Sequence, residues 1–185
     1  MGNTGAGINF LISTIFDLYA FVVMLRFLMQ LTRADYYNPI SQFVVKATDP
    51  LLKPLRRLIP GFGGYDIAAL VLCFLVLLIK FILLQSIGGV AISGFGGSIV
   101  AAIFGAPREV GLIGVLFDVF FFSILAMVIL SWVAPGGSPI SGLLHSITSP
   151  IMKPIRRFVP PMGGFDLSPL VALIGIQFIR IVLGV

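Results

Sequence analysis

The sequence predicts an all-α integral membrane protein with four transmembrane helices, arranged as two tandem two-span repeats that each carry an amphipathic interfacial connector. Composition is the first reason. Of 185 residues, 58% are hydrophobic and 10% charged, where soluble domains carry about a quarter charged residues. The apolar residues fall in blocks close to the roughly 20 residues a helix needs to cross a bilayer. Repetition is the second reason. Thr48-Asp-Pro-Leu-Leu-Lys-Pro-Leu-Arg-Arg-Leu-Ile-Pro60 returns 100 residues later as Thr148-Ser-Pro-Ile-Met-Lys-Pro-Ile-Arg-Arg-Phe-Val-Pro160. The register continues through Gly63-Gly64-Tyr65-Asp66 onto Gly163-Gly164-Phe165-Asp166, and Asn38-Pro39-Ile40 matches Ser138-Pro139-Ile140. Chance does not supply such a match, so the chain reads as an internal duplication.

Met1 to Gly7 carries no basic cluster, so the first apolar block is expected to be retained rather than cleaved as a signal. The predicted spans are Ile8 to Leu31, Ile67 to Ile87, Gly111 to Val133 and Leu167 to Leu183. Helix is favoured because it satisfies its own backbone hydrogen bonds in lipid, whereas strands must close into a barrel. The first repeat covers 1–87 with its connector at 32–65, and the second covers 111–185 with its connector at 134–166.

Orientation follows from basic residues. The two connectors hold Arg33, Lys46, Lys53, Arg56 and Arg57, and Lys153, Arg156 and Arg157, while residues 88–110 hold only Arg108, offset by Glu109. Both connectors are expected on the cytoplasmic side, with both termini outside. Gly88 to Ala106 is uncharged and long enough to span, but a fifth crossing would put the two basic connectors on opposite sides. An outer glycine-rich loop or re-entrant segment is preferred.

Lys53, Arg56 and Arg57, like Lys153, Arg156 and Arg157, fall at i, i+3 and i+4 and share a helix face. Leu51, Leu52, Leu55, Leu58 and Ile59, with their counterparts in the second copy, fill the other side. Each connector is therefore suited to the headgroup layer, with its charges on anionic lipid; fixing topology, or meeting a partner protein, are the other uses of the same charges. Pro54 and Pro154 are expected to limit regular helix to short pieces. Asp66 and Asp166 stand where a carboxylate caps the next helix, and Tyr36, Tyr37 and Trp132 suit the membrane boundary.

Charges inside apolar spans are costly unless paired or wetted. Arg26 lies in the first span. At about 1.5 Å per residue, Asp17 and Lys80 both lie about 21–23 Å from the basic end, and Asp118 and Arg180 match them. Two pairs are expected, Asp17 with Lys80 and Asp118 with Arg180, either stapling their helices or lining a path for ions or protons. Gln85 and Gln177 are candidates to join such a network.

No enzyme constellation is visible. His145 is the single histidine and has no matched acid or second ligand nearby in sequence. Cys73 is the single cysteine, so no disulfide or multi-cysteine metal site can form within the chain. Neither a dinucleotide nor a phosphate loop is present. No cofactor, no metal and no specific nucleic acid is expected.

The doubled Thr-x-Pro-x-x-Lys-Pro-x-Arg-Arg-x-x-Pro box, its Gly-Gly-x-Asp continuation and the surrounding two-span unit resemble the YggT/YlmG family of bacterial inner-membrane proteins, in its proteobacterial two-repeat form. That family commonly has an Arg shortly before Leu-Ser-Trp at the end of the first span. Here the first copy keeps Arg26 without Ser-Trp, and the second has Leu130-Ser131-Trp132 with Ala126 aligned to Arg26. The resemblance implies a role in envelope organisation and in osmotic or ion homeostasis; division-site and nucleoid organisation, cytochrome maturation and thylakoid organisation are known in relatives. From it and the box we expect a non-enzymatic scaffold or assembly factor whose partners are anionic lipids, other membrane proteins and a further copy of itself. An ion transport or channel component is the alternative.

Overall fold

The computed structural model describes residues 3–59, 61, 64–133, 138–159 and 166–185, and among these the chain is helical. Seven helices follow one another: α1 (Asn3–Leu31), α2 (Pro39–Leu58), α3 (Ile67–Ser86), α4 (Gly94–Phe104), α5 (Leu112–Val133), α6 (Pro139–Phe158) and α7 (Ser168–Leu183). Thr4–Leu31, Ile67–Ser86 and Leu112–Val133 are long and apolar enough to cross a membrane, whereas α4 and α7 are shorter apolar helices.

The apolar blocks become α1, α3, α5 and α7 because nothing within them breaks a helix. Helix α1 packs along α3 and α5, and α7 packs on α5. A large core built around Val23, Leu28, Leu77 and Phe81 joins α1 and α3 to parts of α2, α5 and α6. A smaller one around Ile124, Met152 and Ile176 joins α5, α6 and α7. Away from these cores, Phe10, Ile15 and Leu18 on α1 and Ile174, Phe178 and Ile181 on α7 are exposed, as expected where the surrounding solvent is lipid.

One expectation gains detail and one changes. Residues 88–106 contain the 11-residue helix α4, packed against α3 and α5. At about 16 Å it is too short to cross the ~30 Å hydrocarbon layer. The box segments, expected in short pieces, are continuous 20-residue helices with Pro50 and Pro54, or Pro150 and Pro154, inside them. The reason is placement. Each pair of prolines is exposed and four residues apart, so the missing N–H groups all lie on one outer face and the inner face keeps its ladder. Asn38 caps α2 by accepting from Ile40 N, and Ser138 caps α6 in a reciprocal box with Ser141. Both helices lie at the same end of the bundle, where Asn38 Nδ2 donates to the Pro139 carbonyl.

Candidate functional site

Charged side chains gather at the two ends of the bundle. At the box end, Ser41, Val44, Thr48 and Leu52 bury one face of α2. Thr48 there meets Arg26, which is 6% exposed. Arg26 Nη1 donates to the Val45 carbonyl at 2.9 Å, to Thr48 Oγ1 at 2.5 Å and to Asp49 Oδ1 at 2.7 Å. Asp49 also accepts from Lys53 Nζ at 2.9 Å. The pairing of Arg26 was not anticipated; the signal was an in-span arginine whose neighbouring in-span acids, Asp17 and Asp118, are matched to other cations.

The aligned position in the second copy is corrected by geometry. Thr148 Oγ1 lies 3.8 Å from Met127 Sδ, so Met127, not Ala126, stands where Arg26 stands. The rings of Phe21 and Phe122, centroids 6.1 Å apart across α1 and α5, follow the same offset of 101. The first copy carries one more residue between its span and its box helix, and the second replaces the Arg26–Asp49 pair with Met127 and Ser149.

The six basic box residues divide in two. Arg56 holds Asp66 through Nε and Nη2, and Arg156 holds Asp166 at 3.1 and 2.9 Å. Lys53 joins Asp49, while Arg57, Lys153 and Arg157 are exposed and enter no ion pair among the described residues. Beside them stand the exposed Leu58 and Phe158. Asp66 also accepts from Ala69 N at 3.3 Å, as an N-cap. Asp166 sits one residue before the N-cap, Leu167, and accepts from Ser168 N at 2.9 Å. Tyr36, Tyr37 and Trp132 are exposed.

The Lys53 hydrogen bond, against burial and with help from Arg26, holds the Asp49 carboxyl below the usual carboxylate range. At Asp166 burial pushes upward, but the Ser168 hydrogen bonds and Arg156 outweigh it. A depressed folded pKa stabilises above the unfolded value of ~3.9 and is lost as pH falls through the folded one. Unfolding in neutral detergent should therefore show stability falling on acidification, with a shallower acid limb in Asp49→Asn. A limb as steep as the wild type's would contradict the assignment to Asp49.

At the opposite end, Lys80 is 0% exposed. Its ammonium donates to Asp17 Oδ1 at 2.7 Å and to the Val110 carbonyl at 2.9 Å, and Glu109 Oε2 is 3.2 Å away. Two of its donors are met by Asp17 and the Val110 carbonyl, and Glu109 adds a second ion pair. Glu109, expected only to offset Arg108, accepts from the Ser13 hydroxyl at 2.8 Å as well. A tight turn delivers it: Ala106 and Glu109 exchange backbone hydrogen bonds at 3.1 and 2.9 Å, with Pro107 and Arg108 between them. Arg108 has φ +69°, a position usually given to glycine.

Close backbone contact fixes this turn. A Cβ on Gly111 would lie 2.2 Å from Gly105 N and 2.8 Å from the Ala101 carbonyl oxygen, and Gly105 itself has φ +94°. Arg180 Nη1 donates to Asp118 Oδ1 at 2.5 Å, and both side chains keep about a fifth of their surface exposed. An open cavity of about 710 Å³ lies there, lined by Arg108, Glu109, Gln177 and Arg180 among others. Gln85 instead accepts from the Ser98 hydroxyl at 3.0 Å. His145 is exposed and Cys73 buried. Among the described residues no three His, Cys, Asp or Glu side chains are grouped to hold a metal ion.

The CCB3/YggT family model matches residues 5–87 and 110–185, leaving out α4 and most of the turn. A Vibrio alginolyticus protein described as an uncharacterized protein in the proC 3′ region is 44% identical over 95% of this chain and 92% of its own length. The uncharacterized protein YggT of Escherichia coli (strain K12) is 39% identical over 90% of this chain and 84% of its own. A Haemophilus influenzae relative is 36% identical over 91% and 87%. No solved structure matches the chain. With two stretches of one family model covering nearly all of it, the chain belongs to the CCB3/YggT family.

Proposed function

We propose that the chain is a non-enzymatic scaffold or assembly factor of the bacterial inner membrane. In this reading it crosses the bilayer four times, its box helices lie on the cytoplasmic face and hold anionic headgroups, and its spans dock other membrane proteins. The supporting observation is the surface of α2 and α6. Each buries one face on the bundle and leaves Arg57, or Lys153 and Arg157, exposed beside Leu58 or Phe158. An interfacial helix needs this arrangement, with cations level with the phosphates and apolar side chains at the acyl boundary. Helix α7 serves as the fourth span. Its 16 residues reach about 24 Å, a shortfall that local thinning and snorkelling of Arg180 can accommodate. The setting of this proposal, envelope organisation and tolerance of osmotic or ion stress, is the one the sequence resemblance implies.

Each cation near an anionic surface contributes about 1 kcal/mol. Replacing Arg57, Lys153 and Arg157 together by Gln should therefore remove most of the protein's preference for spin-labelled phosphatidylglycerol over phosphatidylcholine, read by electron spin resonance in mixed vesicles. Insertion should be unchanged. A preference equal to the wild type's would remove the basis of the proposal.

The open cavity beside Glu109 and Arg180 favours a second reading, an ion transport or channel component using the intramembrane pairs. That reading needs a route past Lys80, which is fully buried and held by two carboxylates. Potassium, sodium or proton flux that disappears when Asp17 and Asp118 are both Asn would move the assignment to transport.

A further inference from the structure

We infer that the first copy holds a single phosphate group in the cavity between the end of α1 and the side of α2, with Arg26 and Arg56 as its anion-binding residues. The inference deepens the headgroup-binding reading and rests on it. The cavity measures about 280 Å³ and is lined by Arg26, Gln30, Ala34, Tyr36 and Arg56 among others. Its volume suits a headgroup fragment better than a drug-sized ligand.

Among the described residues Arg26 makes its hydrogen bonds through Nη1. A guanidinium carries five N–H donors in a rigid fork, so the edge formed by Nε and Nη2 remains. That edge is not sealed in protein: among the described residues, the buried side-chain N and O atoms lacking a partner are limited to Asn9 Oδ1. Arg56 likewise uses Nε and Nη2, on Asp66 and Gln30, and among the described residues Nη1 makes no hydrogen bond. Two guanidinium groups on one small cavity make a fork for phosphate oxygens.

The paired groups at this end carry an excess of one positive charge. Arg26, Lys53 and Arg56 face Asp49 and Asp66, so one positive charge is left over, and a phosphodiester carries one negative charge. The second copy argues that the fold does not need these charges. There Met127 replaces Arg26, Ser149 replaces Asp49, and Ser131 stands at the place of Gln30, yet Thr148 is still packed at 1% exposure. A buried ion pair is weak support for stability and often no better than an apolar replacement. Its presence in one copy alone points to a ligand.

The second copy also supplies the variant, Arg26→Met with Asp49→Ser, which leaves neither charge buried alone. Purified full-length protein in neutral detergent would be titrated with dihexanoyl phosphatidylglycerol and followed by phosphorus NMR line broadening, with dihexanoyl phosphatidylcholine as the zwitterionic control. Saturable binding of the glycerol lipid is expected, weakened at least tenfold in the double variant. Gln30→Glu, an exposed change that sets a carboxylate at the cavity mouth, should weaken binding similarly without touching the Arg26–Asp49 pair. Competition by inorganic phosphate at matching concentrations would assign the site to free phosphate, and its absence to the lipid headgroup. Unchanged affinity in Gln30→Glu, or in a folded double variant, would overturn the inference, as would the lack of any saturable site. The Arg57, Lys153 and Arg157 triple variant keeps the cavity intact, so loss of its lipid preference with saturable binding retained separates the surface reading from this one.

Discussion

Replacing Lys80 by leucine is expected to destabilise the folded protein by about 3–5 kcal/mol, the cost of leaving a buried charge without its partner. The effect is large because two carboxylates depend on one ammonium. Asp17 and Glu109 both lie within 3.2 Å of Lys80 Nζ, and the Val110 carbonyl accepts a hydrogen bond from it. Without that donor set, two acids face each other in apolar surroundings with no cation to offset their charge. Unfolding by denaturing detergent in mixed micelles reads the loss. A triple variant, Lys80→Leu with Asp17→Asn and Glu109→Gln, should recover much of it, because the unpaired acids are gone. Wild-type stability in the single variant would show that the ammonium is solvated in the folded state.

Gly111→Ala is the second large effect, at the upper end of the ~1–3 kcal/mol typical of overpacking. The neighbours of the added methyl are backbone atoms of Gly105, Ala101 and Phe104, and backbone cannot rotate aside as a side chain does. Relief has to come from moving the turn, which carries Glu109 and the Val110 carbonyl away from Lys80. Gly142→Ala on α6, where nothing lies within 4 Å, should instead be neutral or gain up to about 1 kcal/mol from helix propensity. Thermal unfolding of the two variants side by side distinguishes local crowding from a general intolerance of added methyls. Equal melting temperatures would mean that the 105–111 contact opens at little cost.

What sequence made legible was periodic or repeated. The apolar block Ile67 to Ile87 differs from α3 by one residue, because composition alone sets where a span can lie. A depth count along two helices put Lys80 level with Asp17, and their charged atoms are 2.7 Å apart. The remainder depended on how the chain reverses. Glu109 reaches Lys80 only because a glycine-walled turn folds back onto α3, and no spacing announces that. Arg26 finds Asp49, 23 positions later, only once α2 lies back along α1. The register of 100 that aligned the boxes concealed the offset of 101 in the preceding spans, so Met127 was passed over for its neighbour. Continuous α2 and α6 were equally hidden, since a proline count does not tell which face the prolines occupy.

The Lys80 site also has an order of assembly. Its ammonium is translated with α3, whereas its second carboxylate and its carbonyl acceptor belong to residues 109 and 110, about 30 positions further along the chain. During synthesis, Asp17 is therefore the one member of this site already in the chain when Lys80 is made. Only when α4 and the turn have emerged can the coordination close. For that interval α1 supplies the single carboxylate of this site available to Lys80.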